Sequence, residues 1–141
     1  MIVTTTWNKG RKFTAKGDSG YELKMDATPA YGGVGEGATP TEMLLASLAG
    51  CIGIDATMVL NPHLDKIEKL EIITDGTRRE EAPKDFTAMN VTFVVDGTVN
   101  SDKIWRAIRL SEEKYCTVSN SLKAEITYDV VLNGEKLARE M

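Results

Sequence analysis

Two cysteines, Cys51 and Cys116, are the residues of this chain best able to do covalent chemistry. A thiolate is a nucleophile and a metal ligand, and its availability depends on local charge and exposure. Cys51 lies in the middle of an apolar stretch, flanked by Gly50 and Gly53. It reads either as a small buried hydrophobe or as a shielded nucleophile. Cys116 stands in Lys114-Tyr115-Cys116-Thr117, where one helical pattern ends and another begins. A helix N-terminus there would favour its thiolate, and simple packing is the competing reading. His63 follows Asn61-Pro62 in a loop, and one His with two distant cysteines does not make a zinc set, so no metal is expected.

Several elements must position these thiols. Residues 2–8, 11–16 and 20–26 are short β-rich stretches separated by Asn8-Lys9-Gly10 and Gly17-Asp18-Ser19-Gly20, which predicts a meander of hairpins. The glycine-rich run from Ala30 to Gly37 matches neither a P-loop nor a dinucleotide fingerprint, and reads as a flexible connection. A helix is predicted over 40–60. Thr39 is its N-cap, Pro40 its first residue, and Glu42 completes a capping box. Apolar residues occur all round it, so burial on every side is expected, with a second subunit as the wrapping surface.

Strands at 66–79 and 86–96 flank a polar turn at 80–85. Helical period returns over 101–115 with Ile104, Ala107, Ile108, Ser111 and Tyr115 on one stripe. A short helix follows from Cys116 to Lys123, then a strand over 124–132. The order β-β-β-α-β-β-α-α-β predicts an α+β fold with mainly antiparallel strands, in one domain spanning 1–141. Trp7 and Trp105 read as core or interface anchors.

The bulk numbers narrow the classes of function. The chain has 141 residues, 42% hydrophobic, with a formal charge of −4. An acidic chain with interleaved Lys and Glu is a poor partner for nucleic acid. The apolar segment 43–60 carries Ser47, Asp55 and Thr57, which argues against a membrane span. The N-terminus shows no signal peptide, so a cytoplasmic location is expected, where static disulfides are rare.

Three segments carry a family resemblance. Thr39-Pro40-Thr41-Glu42-Met43-Leu44-Leu45-Ala46, running into Leu48-Ala49-Gly50-Cys51, resembles the first signature of the OsmC/Ohr family. The run from Arg78 to Thr87 is similar to a stretch of that family's YhfA-like branch, and Leu110 to Val118 resembles the second cysteine signature. The resemblance implies a swapped α+β homodimer with both cysteines buried near the subunit interface. It also implies a thiol peroxidase for small apolar organic hydroperoxides, without a resident metal or organic cofactor. Cys51 would become a sulfenic acid and Cys116 would resolve it as a disulfide. An external dithiol, a lipoyl group in the better-known members, would reopen that bond. The alternative is a stress-associated binding protein of the same fold with little or no peroxidase activity.

Cys51 lies about three turns inside its helix, too far for the dipole to stabilise a thiolate, so a cation is needed. The typical peroxidases of the family use an Arg held by a Glu ten residues before the cysteine, where this chain has Thr41. Glu42 is the nearby carboxylate, nine residues before Cys51 and therefore on roughly the opposite face at about 100° per residue. Arg11, Arg78 and Arg79 are the candidate cations, with Arg78 preferred and Arg79 expected on the other side of the strand. Asp55 falls one turn after Cys51 on the same face. It needs a partner there, either an Arg that also reaches the thiol or the backbone beside a water-filled gap.

Overall fold

The computed structural model describes residues 1–139. They fall into two compact units, divided after Leu44. In the first, β1 (Thr4–Trp7), β2 (Phe13–Lys16) and β3 (Glu22–Met25) form an antiparallel meander. Strands β1 and β3 are shorter at both ends than the sequence pattern predicts, and β2 begins two residues later. The β1–β2 turn places Lys9 and Gly10 at positive φ, 78° and 58°. Trp7 is 55% exposed and its Nε1 donates to the Gly10 carbonyl, so it ties down a turn rather than filling a core. Asp26 is buried, and its carboxylate accepts from the backbone N–H groups of Ala27, Val34 and Glu36. The glycine-rich segment is thus folded around a carboxylate. A side chain at Gly33 or Gly37 would collide with neighbouring backbone, which explains why the loop needs glycine there.

Helix α1 (Pro40–Val59) begins with the predicted capping box. The Glu42 N–H donates to Thr39 Oγ1 at 3.2 Å, and the Thr39 N–H reaches back to Glu42 Oε1 at 3.3 Å. The second unit contains the rest of this helix and a four-stranded sheet in the order β4 (Ile67–Arg78), β5 (Phe86–Gly97), β6 (Glu125–Leu132), β7 (Glu135–Leu137). Strands β4 and β5 pair antiparallel, β5 and β6 parallel, and β6 and β7 antiparallel. The connection from β5 to β6 passes through α2 (Ser101–Leu110), a π-helical turn over Ser111–Tyr115, and α3 (Thr117–Ser121). A parallel pair requires a crossover of this length. Strand β7, three residues long, is too short to show a period and was not expected.

The core of this unit lies on one face of β5, where Met89, Val91, Phe93 and Val95 are all at most 1% exposed. Tyr128 and Val130 of β6, and Ile104, Trp105, Ala107 and Ile108 of α2, complete it. Each buried Val, Ile, Met or Phe among them contributes about 1.5–3 kcal/mol on burial. Helix α1 lies along β4 at close range. A Cβ on Gly53 would come within 2.9 Å of Ile72 Cδ1, and one on Gly76 within 3.1 Å of Leu45 Cδ2. Moving from Gly53 to Leu45 covers about 12 Å of helix, while Ile72 to Gly76 covers about 13 Å of strand. The two therefore run antiparallel.

The expectation of all-round burial for α1 is corrected within this chain. Only Leu48, Ile52 and Ala56 are buried, one stripe at four-residue spacing, while Ile54 and Met58 are 64% and 70% exposed. One sheet can cover only one side of a helix. By length and mean hydropathy α1 is long and apolar enough to cross a membrane, contrary to the expectation for segment 43–60. Starting at Pro40 gives it 20 residues, enough to qualify. Its buried stripe of Leu48, Ile52 and Ala56 packs on its own chain.

Candidate functional site

Cys51 reaches the site from the middle of α1, and Asp55 follows one helical turn later on the same face. Cys116 arrives from the opposite direction, at the end of the π turn. That turn is closed by the Cys116 N–H donating to the Ser111 carbonyl at 2.9 Å, a five-residue step in place of the usual four. Without it Cys116 would point elsewhere around the helix. The Cys51 and Cys116 sulfurs and an Asp55 carboxylate oxygen all lie within 4.8 Å of one another. Both thiols are free; Cys51 is half-buried and Cys116 buried.

Ser111 joins the two arms. Its hydroxyl donates to Asp55 Oδ2 at 3.2 Å while its carbonyl holds the Cys116 backbone, and the residue is fully buried. Cys116 also caps α3, its sulfur accepting from the Ser119 N–H at 3.3 Å. The capping geometry expected from the sequence is present, yet the thiol pKa moves the other way. Burial pushes the Cys116 thiol up, and the contacts with Ser119 only partly offset that. Behind Cys116, burial pushes the Tyr128 phenol up, with the charges of Glu112 and Cys116 adding to the effect. Arg139 pairs with Glu112 at 2.9 Å and lies 5.9 Å from the Tyr128 ring centre. On the other side, a groove of about 460 Å³ lined by Asp55, Met58, Val59 and Tyr115 opens beside the carboxylate.

The structure gathers Cys51, Cys116 and Asp55, and gives each of the other candidates a different partner. The Arg78 Nε donates to the Lys84 carbonyl at 2.9 Å, and the guanidinium lies over Phe86, 5.9 Å from the ring centre. Arg78 is two strand residues beyond Gly76, which lies against Leu45. Its backbone is therefore about 16 Å along α1 from the level of Cys51. The expected tie between Arg78 and Asp55 is thus replaced by one between Ser111 and Asp55. Arg79 pairs with Asp85 at 3.0 Å. Glu42 is held in the capping box, and Arg11 reaches the Gly10 carbonyl in the first unit. His63 sits in the 3₁₀ turn that follows α1.

Sequence reasoning did not assign roles to Ser111 and Ser119. Ser111 had a signal, being the one small hydroxyl residue on the helical stripe that runs from Ile104 to Tyr115. Ser119 had another, three residues after a cysteine that opens a helix.

The OsmC-like protein family model matches residues 33–131, most of the chain and all of this site. The chain belongs to the OsmC-like family. Among its OsmC-like relatives, it is similar to protein YhfA of Escherichia coli K12, with 35% identity over 93% of this chain and 98% of YhfA. In structure it is similar to a hypothetical protein of Aquifex aeolicus, with 27% identity, TM-score 0.76, and 94% and 96% of the two chains covered. It also shares its fold with an organic hydroperoxide resistance protein OsmC of Legionella pneumophila, at 17% identity and TM-score 0.62, covering 93% and 94%. The α+β OsmC-like fold is the expected class.

Proposed function

We propose that this chain is a single-domain, cytoplasmic, homodimeric thiol peroxidase that reduces organic hydroperoxides to alcohols. The observation that carries the reading is two free thiols, from separate elements, with sulfurs within 4.8 Å. A disulfide needs about 2.05 Å between sulfurs, so a modest side-chain rotation closes the gap. The half-buried Cys51 meets the peroxide first. Its thiolate attacks the oxygen distal to the alkyl group, the O–O bond breaks, and the alkoxide takes up a proton and leaves as the alcohol. Cys51 is then a sulfenic acid. Cys116 attacks that sulfur, water leaves, and the pair becomes a disulfide. Both electrons are accounted for: one hydroperoxide and two thiols give one alcohol, one water and one disulfide. An external dithiol, a lipoyl group among the candidates, restores the thiols by exchange.

In this reading Asp55, whose carboxylate accepts from the Ser111 hydroxyl at 3.2 Å, takes up the proton that Cys116 releases. The apolar groove beside it suits an alkyl chain better than hydrogen peroxide. The reading gains support from relatives of the same fold, the Legionella protein above being named for resistance to organic hydroperoxides. One equivalent of an organic hydroperoxide added to the reduced protein should consume both thiols within seconds. Thiols that survive that treatment would point instead to a binding protein of the same fold.

A further inference from the structure

The sulfurs of Cys51 and Cys116 and the carboxylate of Asp55 form a set that thiol–disulfide chemistry does not require. A disulfide needs two sulfurs, whereas this site places a carboxyl oxygen within 4.8 Å of both. Cys51 and Asp55 stand at i and i+4, the spacing by which one helix face presents two ligands to a single ion. The third donor comes from a separate element whose backbone is fixed by the π turn. Around zinc, with Zn–S near 2.3 Å and Zn–O near 2.0–2.2 Å, tetrahedral ligand atoms stand about 3.5–3.8 Å apart. The three atoms reach that spacing by closing about 1 Å, within the reach of their own side-chain torsions.

The surroundings fit an ion as well. Ser111 donates to one Asp55 oxygen at 3.2 Å, which is the outer-shell contact that orients a ligating carboxylate. The groove beside Asp55 offers an entry path and room for a fourth ligand. Two thiolates select soft and borderline cations over magnesium or calcium. The sequence argument against metal counted only His63 and two cysteines distant in the chain. It missed that the fold supplies a carboxylate as the third donor.

We propose that in the reduced protein Cys51, Cys116 and Asp55 bind one divalent cation of the zinc class, with Ser111 orienting the carboxylate and the fourth position open to water. Binding releases the two thiol protons to solvent and makes the site exclusive: the same sulfurs cannot hold an ion and share a disulfide. This inference does not rest on the peroxidase reading.

Cobalt(II), a spectroscopic substitute for zinc, tests it on the full-length, reduced, chelator-washed protein under anaerobic conditions. One equivalent should produce a sulfur-to-cobalt charge-transfer band and tetrahedral d–d bands, and zinc should bleach them stoichiometrically. Cys116→Ser should lose the spectrum. Asp55→Asn should weaken affinity at least about tenfold, since loss of an outer-shell partner alone costs that much. Ser111→Ala should weaken it less and keep the bands, which covers the case where Asp55→Asn fails to fold. No charge-transfer band at one equivalent, or unchanged affinity in both Asp55→Asn and Ser111→Ala, overturns the site. Hydroperoxide consumption by the washed protein is scored separately. Thiols consumed by protein that binds no cobalt end the metal site alone, whereas cobalt bound by protein inert to hydroperoxide ends the peroxidase reading alone.

Discussion

Burial separates the two thiols more sharply than their sequence neighbours do. Cys116 is 1% exposed and its thiol pKa is raised by burial, while Cys51 is half-buried. Iodoacetamide should therefore modify Cys51 first. Cys116, with its pKa above the ordinary 9.0, should react faster with each step of pH past that point instead of levelling off. Mass spectrometry of protein quenched at intervals reads both rates. The same asymmetry sets the roles. Cys51→Ser should abolish hydroperoxide consumption, whereas Cys116→Ser should allow one turnover and leave a sulfenic acid on Cys51 that dimedone traps. An adduct found only on Cys116 in the wild type would reverse the assignment. Arg78→Met should leave the rate of thiol loss within about twofold of wild type, because Arg78 is spent on the Lys84 carbonyl and Phe86. A defect of tenfold or more would restore Arg78 as the activating charge. The cysteines were legible in the sequence because residue type limits what they can do. The partner of Asp55 was not, since any hydroxyl or cation brought near by the fold would have satisfied it.

At the scale of elements, the periodic segments were the readable ones. The capping box fixed the start of α1, and alternation through Met89, Val91, Phe93 and Val95 fixed both the extent and the buried face of β5. The π turn left no such trace. Its five residues, Ser-Glu-Glu-Lys-Tyr, are good enough helix formers to continue the α-helical pattern, and the Cys116 N–H to Ser111 carbonyl bond reveals the extra residue. That extra residue has a consequence for the site. Deleting Glu113 should return the segment to α-helical register and rotate Cys116 by about 100° relative to α2. The Cys51–Cys116 disulfide should then fail to form with one equivalent of hydroperoxide, while far-UV circular dichroism keeps its wild-type shape. Disulfide formed at the wild-type rate in the deletion variant would show that the π turn is incidental. The parallel pairing of β5 with β6 was equally hidden, because strand direction depends on where the crossover lands rather than on the strands' own composition.

At the scale of the whole molecule, α1 poses the remaining problem. A single chain buries one stripe of it and leaves Ile54 and Met58 in water, which costs about 1.5–3 kcal/mol for each side chain that could be covered. Between them and the N-terminal half lies Gly50, exposed, where an added Cβ would meet nothing within 4 Å. A glycine in mid-helix costs about 1 kcal/mol relative to alanine, and inside this chain nothing offsets that. A second copy packed closely on this face would supply the reason, because only glycine lets two backbones approach there. The two situations give opposite signs for one substitution. If the face is open, Gly50→Leu gains helix propensity and raises thermal stability without changing the mass. If the face is a homodimer seam, the added side chain pushes the copies apart and weakens association. Sedimentation of the wild type at micromolar concentration should give twice 15.5 kDa, and Gly50→Leu should shift the mass toward 15.5 kDa with a lower melting temperature. Wild type sedimenting as a monomer, with Gly50→Leu more stable, would leave the exposed face of α1 without a partner and remove the homodimer from the proposed mechanism.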